Sequence, residues 1–196
     1  MQTLLITPPA AEPVDMAVVE EHLRASTSGS DATLIESYLQ SAREAVEAHT
    51  GRALMPQTWE LRLPAFPSSG APIEIPMPPL ASVTSVTYDD ADGAEVVMAE
   101  EDYQVILSSG PRPLPGRLLP APGGTWPATE SGNAAAVRIR FVCGYASASE
   151  VPAALRAAIL LMLGDLYANR EAGSERPISE NPAVDRLLAP FRVTWL

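Results

Sequence analysis

The densest chemistry in the sequence is carboxylate. Asp89, Asp90, Asp92, Glu95, Glu100, Glu101 and Asp102 crowd seven acids into 14 residues with no base among them. Oxygen donors so spaced could suit calcium. An EF-hand reading that puts Asp90, Asp92 and Gly93 at the third, fifth and sixth loop positions fails, because Tyr88 and Ala99 then stand where acids are required. The run reads as a solvated hairpin or as an acidic surface facing DNA or a basic partner. Glu60 and Glu74 lie on two alternating segments, and a carboxylate-dependent hydrolase would need such a pair across a sheet. His22 and His49 fall on different helical segments without His-x-x-x-His spacing, so they do not announce a zinc site. Cys143 is the only cysteine, which excludes an internal disulfide and a Cys-x-x-Cys motif. The chain has no Gly-x-Gly, no Gly-x-Ser-x-Gly and no lysine, which removes the dinucleotide fingerprint, the hydrolase elbow and every lysine-based mechanism. No catalytic residue, metal ligand or cofactor is assigned, and the expectation is a protein that is not an enzyme.

Charge narrows the partners. The 196 residues carry 13 basic groups, all arginine, against 24 acids, so 13 − 24 = −11. An acidic chain does not hold nucleic acid or anionic lipid by bulk charge. Arg138 and Arg140 share one face of a strand, opposite Ile139 and Phe141, and Arg62 is expected beside them. The longest apolar run, Ala157–Leu163, is far short of the roughly 20 residues of a membrane span. Met1–Val14 lacks the basic start and long apolar stretch of a secretory signal, so the expectation is a protein made in a reducing cytoplasm with no membrane partner.

The elements that must position these groups follow from periodicity. Residues 1–14, with Pro8, Pro9 and Pro13, read as an extended arm. Asp15 caps a short helix, and from Asp31 a longer one carries the stripe Leu34, Ile35, Tyr38, Leu39, Ala42, Val46 and His49 to Gly51, a left-handed stop. Between 56 and 127, which hold 13 of the 20 prolines, alternation replaces helical spacing. Asp92-Gly93 marks a hairpin between Val83–Tyr88 and Glu95–Met98, and Pro111–Pro127 reads as an extended surface loop. Val137–Val142 returns as a strand. Leu155, Ile159, Met162, Leu163 and Leu166 mark a third helix after Pro152, and a short fourth helix ends before Pro190. The expected fold class is α+β: a small helical bundle of about four helices, with an antiparallel β insertion at 56–148 between the second and third helices. The helical parts are 15–55 and 150–190, forming one domain over 15–190. An alternating tail remains: Phe191, Arg192, Val193, Thr194, Trp195 and Leu196. Such an end either packs on its own domain or adds to another protein.

The order of these blocks resembles the head–tail connector, or adaptor, proteins of long-tailed phages and phage-like gene transfer agents. The resemblance is carried by Leu34-Ile35-Glu36-Ser37-Tyr38-Leu39, Glu47-Ala48-His49-Thr50-Gly51-Arg52-Ala53-Leu54 and Gln57-Thr58-Trp59. It continues through Pro79-Leu80-Ala81-Ser82-Val83-Thr84-Ser85-Val86, Gly144-Tyr145 and Val151-Pro152-Ala153-Ala154-Leu155-Arg156. It ends with Tyr167-Ala168-Asn169-Arg170-Glu171 and Leu187-Leu188-Ala189-Pro190-Phe191-Arg192. The resemblance implies a structural virion protein at the head–tail interface, ringed beneath the portal protein, usually in 12 copies. It would extend the DNA channel and meet a stopper or other tail-side component, with DNA passing through without sequence-specific binding. Phe191–Leu196 stands where the family engages the portal, and Asp89–Asp102 is a candidate lumen surface. A stopper or tail-completion protein of the next layer is the alternative, and the carboxylate-dependent hydrolase a distant one.

Overall fold

The computed structural model describes residues 1–25, 31–169 and 182–193. The chain divides into two compact units, Met1–Ala10 with Pro56–Ala146, and Ala11–Met55 with Ser147–Leu196.

The first unit is built of strands β1 (Gln2–Thr7), β2 (Gln57–Leu63), β3 (Ile73–Ile75), β4 (Leu80–Asp89), β5 (Glu95–Val97), β6 (Tyr103–Ile106), β7 (Gly116–Pro120) and β8 (Val137–Cys143). They form a five-stranded antiparallel sheet in the order β1-β2-β8-β4-β5 and a three-stranded one in the order β3-β7-β6. Period-two alternation in β8 explains its central place. Val137, Ile139, Phe141 and Cys143 are buried, while Arg138 and Arg140 point to the other face. Register extends this core sideways, with Ile139 opposite Leu61 on β2 and Val86 on β4, all fully buried. In the smaller sheet Ile73, Ile75 and Leu118 are buried. Gly116 has no Cβ for a steric reason: one placed there would lie 2.3 Å from Leu80 Cδ2.

The second unit holds helices α1 (Met16–Leu23), α2 (Ala32–Thr50), α3 (Ala153–Ala168) and α4 (Pro182–Leu188). The α2 stripe buries Ile35, Leu39, Ala42 and Val46, and α2 packs on α3, whose Leu155, Ala158, Ile159 and Leu163 are buried. Gly51 ends α2 at φ 69° with its N–H on the Glu47 carbonyl.

A helical bundle carrying a β insertion does not describe this fold. It is a strand-rich α+β structure with four helices and two antiparallel sheets among the described residues. The strand unit is not an insertion between the second and third helices, because its outermost strand, β1, precedes α1. Leu4 and Leu5 pair with Glu60 and Trp59 of β2, a bulge follows between Leu5 and Thr7, and the expected extended arm is thus in part a sheet edge. Pro111–Pro127 is likewise not all loop. Its prolines flank β7, and Pro120, which has no N–H to give, ends that central strand.

Candidate functional site

The C-terminal residues are tied to the end of α2. An α-helix leaves its last carbonyls without partners inside the helix. Here the Thr50 carbonyl accepts the Val193 N–H at 2.8 Å. Buried Arg52 donates from Nε to the Phe191 carbonyl at 2.5 Å, and Phe191 itself is buried at the end of a 3₁₀ turn, Ala189–Phe191. Arg192 reaches Asp185 Oδ1 at 3.1 Å and also contacts the His49 ring, while His49 Nε2 lies 3.1 Å from the same carboxylate oxygen. Of the candidate tail, then, Phe191, Arg192 and Val193 are held by their own unit. Thr194, Trp195 and Leu196 lie outside the described residues. His49 is a tail contact. His22 stands on α1 beside Gly164 of α3, and the two histidines are not brought together.

Beneath this junction lies a polar cluster that sequence reasoning missed. Arg43 and Glu47, with 5% and 8% of their side-chain surface exposed, pair at 2.8 Å. The other Glu47 oxygen accepts the Leu54 N–H at 2.7 Å, and Arg43 Nε donates to Glu12 at 2.9 Å. The signal was present as an arginine and a glutamate at i and i+4 within the apolar stripe of Leu39, Ala42 and Val46.

The acidic run separates into two kinds of carboxylate. Asp89 receives both Arg138 amino groups, at 2.7 and 2.9 Å, and Glu95 takes a third contact from Arg138 at 2.7 Å. The Arg138 hydrogen bond dominates and holds the Asp89 carboxyl below the usual aspartate range; the pairing raises Arg138 in turn. Asp90 Oδ1 accepts the N–H groups of Asp92 and Ala94, closing the expected turn at Gly93, where φ is 81°. Asp92, Glu100, Glu101 and Asp102 are exposed and make no ion pair among the described residues. Glu100–Asp102 forms a 3₁₀ turn leading into β6. The run also straddles both sheets, a feature hidden from linear spacing.

Arg138 stands opposite Arg62, and Arg140 opposite Glu60. Burial would raise the Glu60 carboxyl, but hydrogen bonds from Arg62 and Arg140 outweigh it and lower it below the ordinary glutamate value. Glu74 is in the other sheet, across from Arg117. The two glutamates therefore do not form a facing pair, and Glu60 is a charge-neutralising partner rather than a proton donor. Among the described residues, no three His, Cys, Asp or Glu side chains converge as a metal site, and no helix is long and apolar enough to cross a membrane.

No family model matches the sequence, and no curated protein matches it. Solved structures do. A chain from the neck of an empty gene transfer agent particle, computed with C6 symmetry, superposes with a TM-score of 0.80 and 26% identity, covering 100% of this chain and 97% of that one. A chain from the virion of a native gene transfer agent particle gives a TM-score of 0.77 at 25% identity, with the same coverage. A chain from the neck of a native particle, computed with C12 symmetry, gives 0.74 at 25%, again over 100% and 97%. From end to end, the chain is similar to structural components of gene transfer agent particles, two of them from the neck.

Proposed function

We propose that this protein is a structural, non-enzymatic component of the head–tail neck of a phage-like particle. Within the neck it is the adaptor: a ring beneath the portal protein that extends the DNA channel and meets the stopper or other tail-side component. The observation that carries the reading is the likeness over the full length of both chains to neck components. It agrees with the block order of the sequence. Similar chains occur in necks computed with both C12 and C6 symmetry. Twelve copies satisfy both operators, whereas six cannot fill a twelve-fold ring, which supports the 12-copy adaptor over a six-copy layer.

Phe191–Leu196 is proposed as the portal-docking tail, and the bonds of Phe191 and Val193 to Arg52 and Thr50 give it a fixed root. Native mass spectrometry with the portal protein encoded nearby tests the reading. A portal complex carrying about twelve copies is the expected result. Deleting Thr194–Leu196 spares the bonds of Phe191 and Val193 to Arg52 and Thr50 and is expected to abolish docking. A complex with the tail-side component and none with the portal makes this a stopper, and a deletion variant that still docks refutes the tail assignment.

A further inference from the structure

At the ends of its two sheets the first unit has two apolar edge strands, β1 and β6. β1 pairs only with β2, and β6 only with β7, and every residue of this unit is described. An unpaired edge presents a row of free N–H and C=O groups, and soluble proteins usually keep such edges short, charged or broken by proline. The other sheet ends, β3 and β5, have three residues each, and β4 runs past β5 with Leu80–Ser85 unpaired on that side. β1 has six residues, with a bulge between Leu5 and Thr7, and β6 has four. Gln2–Thr7 and Tyr103–Ile106 contain no charge and no proline. Leu5 and Ile6 are exposed on the first. Ile106 is exposed on the second, and its apolar surface continues through Leu107 at 54% and Leu114 at 68% exposure. Leu114 donates its N–H to Ser108 Oγ, which closes the intervening loop back toward the end of β6.

We infer that, in the ring proposed above, β1 of one copy lies along β6 of the next, joining the five-stranded sheet of one subunit to the three-stranded sheet of its neighbour. The occupant of each edge is a second copy of this chain. A closed ring with more than two subunits needs two different, complementary surfaces on every subunit. These two edges differ in sequence and belong to different sheets, and each offers backbone hydrogen bonds together with apolar side chains. Neither carries a charge that would select an ionic partner. The inference rests on the ring reading, whose own test is the copy number of the portal complex.

Cross-linking of that complex separates the two. Cys143 is buried, so the unsubstituted protein is the unreactive control. A double variant, Leu5→Cys with Ile106→Cys, treated with a short bis-maleimide, gives a denaturing-gel ladder rising one chain at a time. A mixture of the two single variants stops at a dimer, because each copy then has one reactive edge. Ile6→Lys leaves the Tm of the free chain unchanged and removes the ring from the native mass spectrum. A twelve-copy complex without the ladder, or one that Ile6→Lys leaves intact, overturns this interface while the ring reading stands. A dimer from Leu5→Cys alone means like edges pair, which also overturns it. Absence of any multi-copy complex removes the ring itself.

Discussion

Glu47→Ala tests whether the buried polar cluster holds the helical unit together. The substitution removes two acceptors at once, the partner of Arg43 at 2.8 Å and that of the Leu54 N–H at 2.7 Å. Arg43 keeps Glu12 at 2.9 Å and Glu44 at 3.5 Å, so its guanidinium is not stranded. Breaking one partner of a buried pair costs about 3–5 kcal/mol, and the surviving acids place Arg43 at the low end. An unsatisfied buried N–H adds about 1–3 kcal/mol. The expected loss is therefore about 4–6 kcal/mol. For a chain of this length, each kcal/mol moves Tm by about 2–4 °C, so the midpoint drops by roughly 8–24 °C. Circular dichroism at 222 nm during urea unfolding is the assay, since all four described α-helices lie in this unit. Glu47→Gln keeps an acceptor for Leu54 and loses the charge, so it falls between wild type and alanine. Arg43→Met with Glu47→Leu removes both charges, leaves Glu12 solvated, and recovers all but the Leu54 contribution. A cost below about 1 kcal/mol for Glu47→Ala would show that water replaces the carboxylate at no penalty, and the buried-cluster argument would fail.

The strand unit is expected to be acid-sensitive. Glu60 and Asp89 both titrate below their ordinary values of 4.5 and 3.8 in the folded chain, so their stabilising contribution is complete above those values. It is lost as pH falls through the lower folded values. The urea midpoint of a chain that keeps Trp59 as its one tryptophan (Trp126→Phe with Trp195→Phe), followed by fluorescence, therefore declines from about pH 4.5 downward, and a flat profile to pH 3 would contradict the assignment. Gly116→Ala forces a methyl into Leu80, costing about 1–3 kcal/mol by overpacking. Leu80→Ala in the same chain relieves that clash, so additive losses in the double-mutant cycle would refute the contact.

Periodicity made the single elements legible, because each depends on its own residues. The stop of α2 at Gly51 and the Asp92-Gly93 turn appear where turn chemistry puts them, and the α2 stripe is buried at Ile35, Leu39, Ala42 and Val46, while Leu34 is exposed. Sheet membership depends on partners far along the chain. Nothing local distinguishes Leu4-Leu5-Ile6 as an extended arm from the same residues as an edge strand; the difference is Trp59 and Glu60 across the ladder. Proline density hid β7 because proline forbids a ladder donor only at its own position, and Gly116–Leu119 lies between prolines rather than on them. For the candidate surfaces, the sequence supplied the acids and the tail but not their partners. Arg138 lies 49 residues from Asp89, and Arg52 lies 139 from Phe191.

That partnering changes what the acidic run can do in a DNA channel. Of its seven carboxylates, Asp89 and Glu95 are paired with Arg138 and Asp90 is spent on closing a turn. Were this run on the channel wall of the proposed ring, the field that a passing duplex would meet would come from Asp92, Glu100, Glu101 and Asp102 of each copy. Duplex DNA carries one charge per roughly 1.7 Å of axis, so like charge on the wall opposes adhesion during ejection. Reversing those four residues to arginine therefore creates DNA affinity in the assembled ring, with log K falling by about 0.9 per phosphate contacted for each tenfold rise in salt. Fluorescence anisotropy with a labelled duplex reads this directly. Asp89→Asn behaves differently: it strips Arg138 of its bidentate partner, and its effect is on the melting of the sheet. Unchanged DNA affinity and ejection after the fourfold reversal would move the acidic face off the channel and onto a protein partner.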